Sequence, residues 1–165
     1  MRNMRWVVVP LRVLLVLVFL GLVVAQFMSL PGEFRQQAEE HPEAGFLPWL
    51  LLTFAILEVI CFQIVIVCTW RLLTLVSADR IFSEKSFVWV DVIVWTMVAA
   101  WLLLAGISAY LVVIIYFTPE LRDPGTPILL TGMVLIGGVV VLTIVVLRAL
   151  LRQATVLQSD LEEVI

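Results

Sequence analysis

The sequence predicts an all-α integral membrane protein, an up-down-up-down four-helix bundle with a short cytoplasmic C-terminal helix. Three observations predict it. Of 165 residues, 63% are hydrophobic and 14% charged, where an ordinary soluble domain carries about 25% charged residues. The apolar residues gather in four runs, each long enough to cross a hydrocarbon core of about 30 Å. The basic residues fall between those runs with a strong bias to alternate connections. With a mean hydropathy of +1.15, the chain holds more apolar surface than one small core can bury, so the rest faces lipid.

The first run is Val7–Phe27, with Pro10 in its opening turns and Arg12 near enough to the end to snorkel. A cleaved signal peptide ending near Val23-Val24-Ala25 is the rival reading of this segment. Pro10 and Arg12 interrupt the early run, however, and apolar character continues to Leu30. The second run is Leu47–Trp70. The third, Val88–Phe117, would be about 45 Å long as a helix, so it tilts or projects beyond the hydrocarbon. The fourth is Ile128–Leu147, and residues 148–165 form an amphipathic tail. Residues 1–165 thus read as a single transmembrane domain.

Orientation follows from charge. Arg2, Arg5, Arg12, Arg71, Arg80, Lys85, Arg148 and Arg152 belong to one side, and Arg35 and Arg122 to the other. The positive-inside rule places both termini and the middle connection in the cytoplasm. Trp6, Trp49, Trp70, Tyr116 and Phe117 fall at the predicted membrane–water boundaries, where amphipathic rings are favoured. Trp89, Trp95 and Trp101 are six apart and mark no single helix face.

Composition also excludes. A net charge of −3 leaves no basic patch for a nucleic-acid backbone, so direct DNA or RNA binding is not expected. Cys61 and Cys68 lie about 10 Å apart along one helix, too far for a disulfide. His41 is the single histidine, which rules out paired-histidine haem ligation and a His-rich metal site. Its neighbours Glu39, Glu40 and Glu43 read as a solvated acidic loop. No metal, cofactor or catalytic residue is expected: paired outer cysteines, a Ser/His pair and paired intramembrane aspartates are all lacking.

Small residues should mark the helix interfaces, because helices in lipid associate by close packing and hydrogen bonding. Ala105, Gly106 and Ala109 on the third span, and Gly132, Gly137 and Gly138 on the fourth, are the candidates. The residue that needs explaining is Glu58, at the middle of the second span. A charged carboxylate at that depth costs about 2.5–3.5 kcal/mol on insertion scales. It is therefore protonated, or it faces a polar partner or a water-filled interior. Gln63, Thr96 and Thr143 are predicted at similar depth and form a candidate intramembrane polar cluster near it. Asp91 reads as an interface charge meeting headgroups, water or Arg80.

The middle connection offers Ser83 as an N-cap, so the third helix should begin before the membrane, with Phe82 stapled against Phe87. After Arg148, apolar residues recur at Leu150, Ala154, Leu157, Leu161 and Val164, an a/d pattern over two heptads. Two heptads are too few to stand alone, so the stripe should dock on the chain's own loop, a second copy, or another protein.

Arg80-Ile81-Phe82-Ser83-Glu84, and Leu147-Arg148-Ala149-Leu150-Leu151-Arg152-Gln153-Ala154 leading to Asp160-Leu161-Glu162-Glu163-Val164-Ile165, resemble a bacterial family of small four-span proteins, domain of unknown function 2975. The resemblance implies a multi-pass protein of the bacterial cytoplasmic (inner) membrane. It also implies a possible partner, a small cytoplasmic helix-turn-helix regulator, and no particular activity. The acidic ending departs from members that finish with a threonine-isoleucine pair. Two functions follow as expectations. One is a regulatory or protein-interaction component, docking through Phe82 and the tail stripe, with a homo-oligomer as a further partner state. The alternative is a small proton- or cation-coupled transporter or channel subunit that uses Glu58.

Overall fold

A computed structural model describes residues 2–42, 45–77, 84–118 and 125–163. All of the regular structure among them is helical. α1 spans Arg2–Val24, a π-helical turn follows at Ala25–Ser29, and α2 continues through Leu30–Glu40. α3 is Leu47–Ser77, α4 Glu84–Phe117 and α5 Gly125–Glu163. Four stretches are long and apolar enough to cross a membrane: Val8–Glu40, Leu47–Leu75, Val88–Phe117 and Gly125–Ala154. The chain is a four-helix bundle with the architecture of a multi-pass membrane protein.

Neighbours in sequence are neighbours in space. α3 and α4 share the largest seam, α5 packs on α4, and α1 and α2 pack on α3. The buried residues lie on the two central helices and on α5: Cys68, Val94, Ser108 and Val141 are each less than a tenth exposed. Outward positions such as Leu17, Phe62, Trp95, Ile136 and Leu142 leave more than half of their surface uncovered. That apolar exterior is what a lipid solvent requires.

The first helix is longer than its hydropathy suggests. Pro31–Phe46 reads as a connection, yet its first ten residues are helical. Two i,i+4 pairs support this polar turn of helix, Arg35 Nε to Glu39 Oε1 at 3.3 Å and Gln36 Nε2 to Glu40 Oε1 at 2.8 Å. The π turn lies immediately ahead of Pro31, where the Leu30 N–H donates to the Ala25 carbonyl. In a regular α-helix the Pro31 ring would meet the carbonyl of Phe27, and the widened turn lets the helix pass. α2 stops at His41, and Gly45, at φ +58°, turns the chain back into α3. Pro48 and Pro127 stand in the first turns of α3 and α5, where a missing N–H costs nothing.

At the other end the helices outrun the membrane. The described part of α4 begins at Glu84; Phe82, Ser83 and Arg80, and with them the expected cap, lie outside the described residues. α5 has 39 residues, about 58 Å of continuous helix, so about half of it extends past the hydrocarbon. Leu150 and Ala154 of the tail stripe are exposed, so the opening turns of the tail are not folded back onto the bundle. The backbone stays helical through Leu157 and Leu161, while Val164 lies outside the described residues.

Candidate functional site

Three side-chain contacts, one at each helix seam, gather at the end of the bundle shared by the start of α1 and the tail of α5. Between α1 and α3, the Arg12 guanidinium lies 5.5 Å from the centroid of the Trp70 ring. Between α3 and α4, Arg71 lies 5.9 Å from the Trp89 ring. Between α4 and α5, Arg148 Nη2 and Asp91 Oδ1 form an ion pair of 2.6 Å. A cation over an aromatic face, or paired with a carboxylate, is the arrangement that makes arginine tolerable at a membrane boundary. Asp91 keeps the solvent access its position suggests and in addition pairs with Arg148 at the base of α5. Arg80 lies outside the described residues.

Deeper in the bundle the expected polar cluster is rearranged. Gln63 donates from Nε2 to Oε1 of Gln26, 3.0 Å away in the π turn. Thr143 is exposed and returns its hydroxyl to Val139 O at 2.7 Å. Thr96 is half-buried and hydrogen-bonds neither of them. Gln63, Thr96 and Thr143 thus form no common network: Gln63 is taken by Gln26, and the Thr143 hydroxyl has a nearer acceptor one turn back. Thr53, Thr69 and Thr74 of α3 and Thr131 of α5 do the same. Gln26 is the polar partner that sequence reasoning missed. Its signal was an amide inside the first apolar run, five residues before Pro31.

Glu58 faces α4 and reaches the backbone of Leu104. Its Oε1 is buried with no hydrogen-bond partner, and so is Ser108 Oγ. Ser108 lies one turn from Leu104 on the same face of α4. Helical side chains lean toward their own N-terminus, which carries the Glu58 carboxyl toward the depth of Ser108 in the antiparallel pair. The α3–α4 seam therefore holds two polar groups within about one helical turn of each other, neither of them hydrogen-bonded at its buried atom. Ser108 had no distinguishing sequence signal, since a serine among alanine and glycine reads as packing.

The α4–α5 seam is closed by Trp101, whose Nε1–H donates to the Val134 carbonyl at 2.9 Å. Gly137 and Gly138 make room for the indole. A Cβ at Gly137 would stand 3.1 Å from Trp101 Cδ1, and one at Gly138 3.4 Å from Nε1. These two glycines pack as the sequence suggests. Gly106 and Gly132 have open space beside them and Ala109 is exposed, so they line no interface in the single chain. The three spaced tryptophans meet three surroundings: Trp89 under Arg71, Trp95 two-thirds exposed, and Trp101 against α5.

No curated protein and no solved structure matches the chain. Residues 32–165 match the family described as "Protein of unknown function (DUF2975)", which takes in α3, α4, the whole of α5 and most of α2. A match over that much of the sequence shows the family, and the chain is a member of DUF2975.

Proposed function

We propose that this protein is a membrane-embedded regulatory or interaction component, which presents the end of α5 to a cytoplasmic protein partner. The single observation that carries the reading is the continuity of α5. One unbroken helix joins Gly125, at the far side of the bundle, to Glu163. A rigid helix anchored by Trp101 and Asp91 transmits a shift in the bundle to its free end without loss in a flexible linker. The apolar stripe at Leu150, Ala154, Leu157 and Leu161 gives that end a face to bury, and a helix-in-groove contact is the mode it suits. A small helix-turn-helix regulator is the partner class in keeping with the family resemblance. The excess of basic residues beside the tail supports its cytoplasmic location. No enzymatic activity is proposed.

The test is paired substitution on the tail. Leu157→Glu with Leu161→Glu should abolish recovery of a stoichiometric partner from solubilised membranes, while expression and membrane insertion stay unchanged. Unchanged association would remove this reading.

A second reading, a proton- or cation-coupled transporter or channel subunit, draws support from Glu58, whose buried Oε1 has no partner between α3 and α4. Proton and cation flux into liposomes, compared for the wild type and Glu58→Gln, decides it. Flux that is present in the wild type and absent in the variant favours transport.

A further inference from the structure

Two guanidinium groups stand at the head of an apolar groove on the outer surface of the bundle. The groove lies between α1 and α3, has a volume of about 280 Å³, and is walled by Leu15, Phe19, Leu20, Ile66 and Val67. Trp70 and Arg71 close it at the end nearest the tail. Arg12 lies over that same Trp70 ring, with its Nε buried and without a hydrogen-bond partner. A second apolar groove, about 380 Å³, shares Phe19 and Val67 with the first and runs from Trp89 to Gln63. Arg71 lies over Trp89. The two troughs thus begin beside two arginine–tryptophan pairs, Arg12 on Trp70 and Arg71 on Trp89, which are joined through the chain neighbours Trp70 and Arg71.

Neither arginine has a carboxylate partner among the described residues, and the nearest one by depth, Asp91, is engaged by Arg148. Glu58 is about 20 Å from Arg71 along α3. Stacking on an indole satisfies the face of a guanidinium but leaves its in-plane N–H donors open. A phosphate accepts from such donors in a bidentate geometry. Tryptophan marks the depth at which lipid phosphates lie. The walls below are apolar and open sideways to the bilayer, which suits an acyl chain and excludes a free polar anion.

We propose that this site binds one anionic phospholipid, with its phosphate at Arg12 and Arg71 and its acyl chains in the troughs on either side of Phe19 and Val67. The charge balance selects the lipid class. Two cations with no carboxylate partner among the described residues favour a headgroup with net negative charge over a zwitterionic one, whose own ammonium group compensates the phosphate. The bound lipid would also tie α1 to α3, a seam the protein itself closes with little besides Gln26–Gln63 and Arg12–Trp70.

The full chain, reconstituted with equal parts phosphatidylglycerol and phosphatidylcholine and then released into mild detergent, tests the site by native mass spectrometry. One phosphatidylglycerol should be retained, enriched about tenfold over phosphatidylcholine, the scale of one charge-assisted hydrogen bond. Enrichment should vanish in R12Q/R71Q, persist in part in R12K/R71K, and be unaffected by R35Q on the opposite side. Equal retention of the two lipids by the wild type would overturn the proposal, and this comparison holds even where a variant fails to fold. Undiminished enrichment in a folded R12Q/R71Q protein would do the same. So would full displacement of the lipid by inorganic phosphate, which would mark a simple anion site.

Discussion

Asp91 of α4 and Arg148 of α5 meet at 2.6 Å, at the point where the last helix leaves the membrane for its tail. The pair fixes the base of the segment that the proposed function depends on. Its side chains are 29% and 44% exposed, so solvent screens it and its stabilisation is modest, about 1 kcal/mol. Asp91→Asn or Arg148→Gln should each lower the unfolding temperature in detergent by a few degrees. The swapped pair, Asp91→Arg with Arg148→Asp, should recover part of the loss. A swap that is worse than the sum of both single changes would show that the pair is incidental.

Trp101 and the paired glycines form the second joint of α5. Trp101→Phe removes the donor to the Val134 carbonyl, a loss of about 1 kcal/mol, and its smaller ring adds the cost of a void beside Gly137 and Gly138. Gly137→Leu is the harsher change, because the indole already stands where a Cβ would come to 3.1 Å. We expect it to separate α4 from α5. A disulfide engineered between those helices, readily formed in the wild-type background, should form slowly or not at all in the variant.

Gln26 and Gln63 are a test of how much an interhelical amide pair contributes in lipid. Intramembrane hydrogen bonds average about 0.6 kcal/mol in double-mutant cycles. Gln26→Leu and Gln63→Leu should each destabilise the protein, since each strands one amide, while the double variant should cost less than the two added together. Additive losses would mean that the two side chains do not share a bond.

Ser108 and Glu58 carry opposite expectations. Ser108→Ala removes a buried hydroxyl with no partner, so stability should be unchanged or higher by up to about 1 kcal/mol. A loss of stability would reveal a bound water joining the hydroxyl to Glu58. Glu58→Gln keeps the shape and hydrogen-bonding capacity of a neutral acid and should fold like the wild type. Glu58→Lys should reduce the amount of inserted protein sharply, because no carboxylate lies at that depth to meet it.

The four spans were legible because hydropathy over about 20 residues reports directly on lipid as a solvent. The packing of Gly137 and Gly138 was legible from their lack of side chains. Other features depended on facts outside any local window. The helical extension to Glu40 hid behind Pro31 and four acidic residues, although the spacing of Arg35 and Gln36 to Glu39 and Glu40 was a helical signal. Asp91 could not be matched to Arg148 from spacing, since the partner lies on another helix. Gln26 faces Gln63 within the π turn, a local change of register that an apolar run does not announce. Thr143 was misjudged because a hydroxyl one turn from its own helix carbonyl has no need of a neighbour.

Photo-crosslinking in intact cells shows most directly whether the free end of α5 is a docking face. A photoreactive residue is placed in turn at Leu157 and Leu161 on the stripe, and at Gln158 and Glu162 off it. The stripe positions should capture one cytoplasmic protein, the same from both, and the other two should capture little. Equal capture from all four positions, or lipid and self-adducts alone from the stripe, would contradict that docking face.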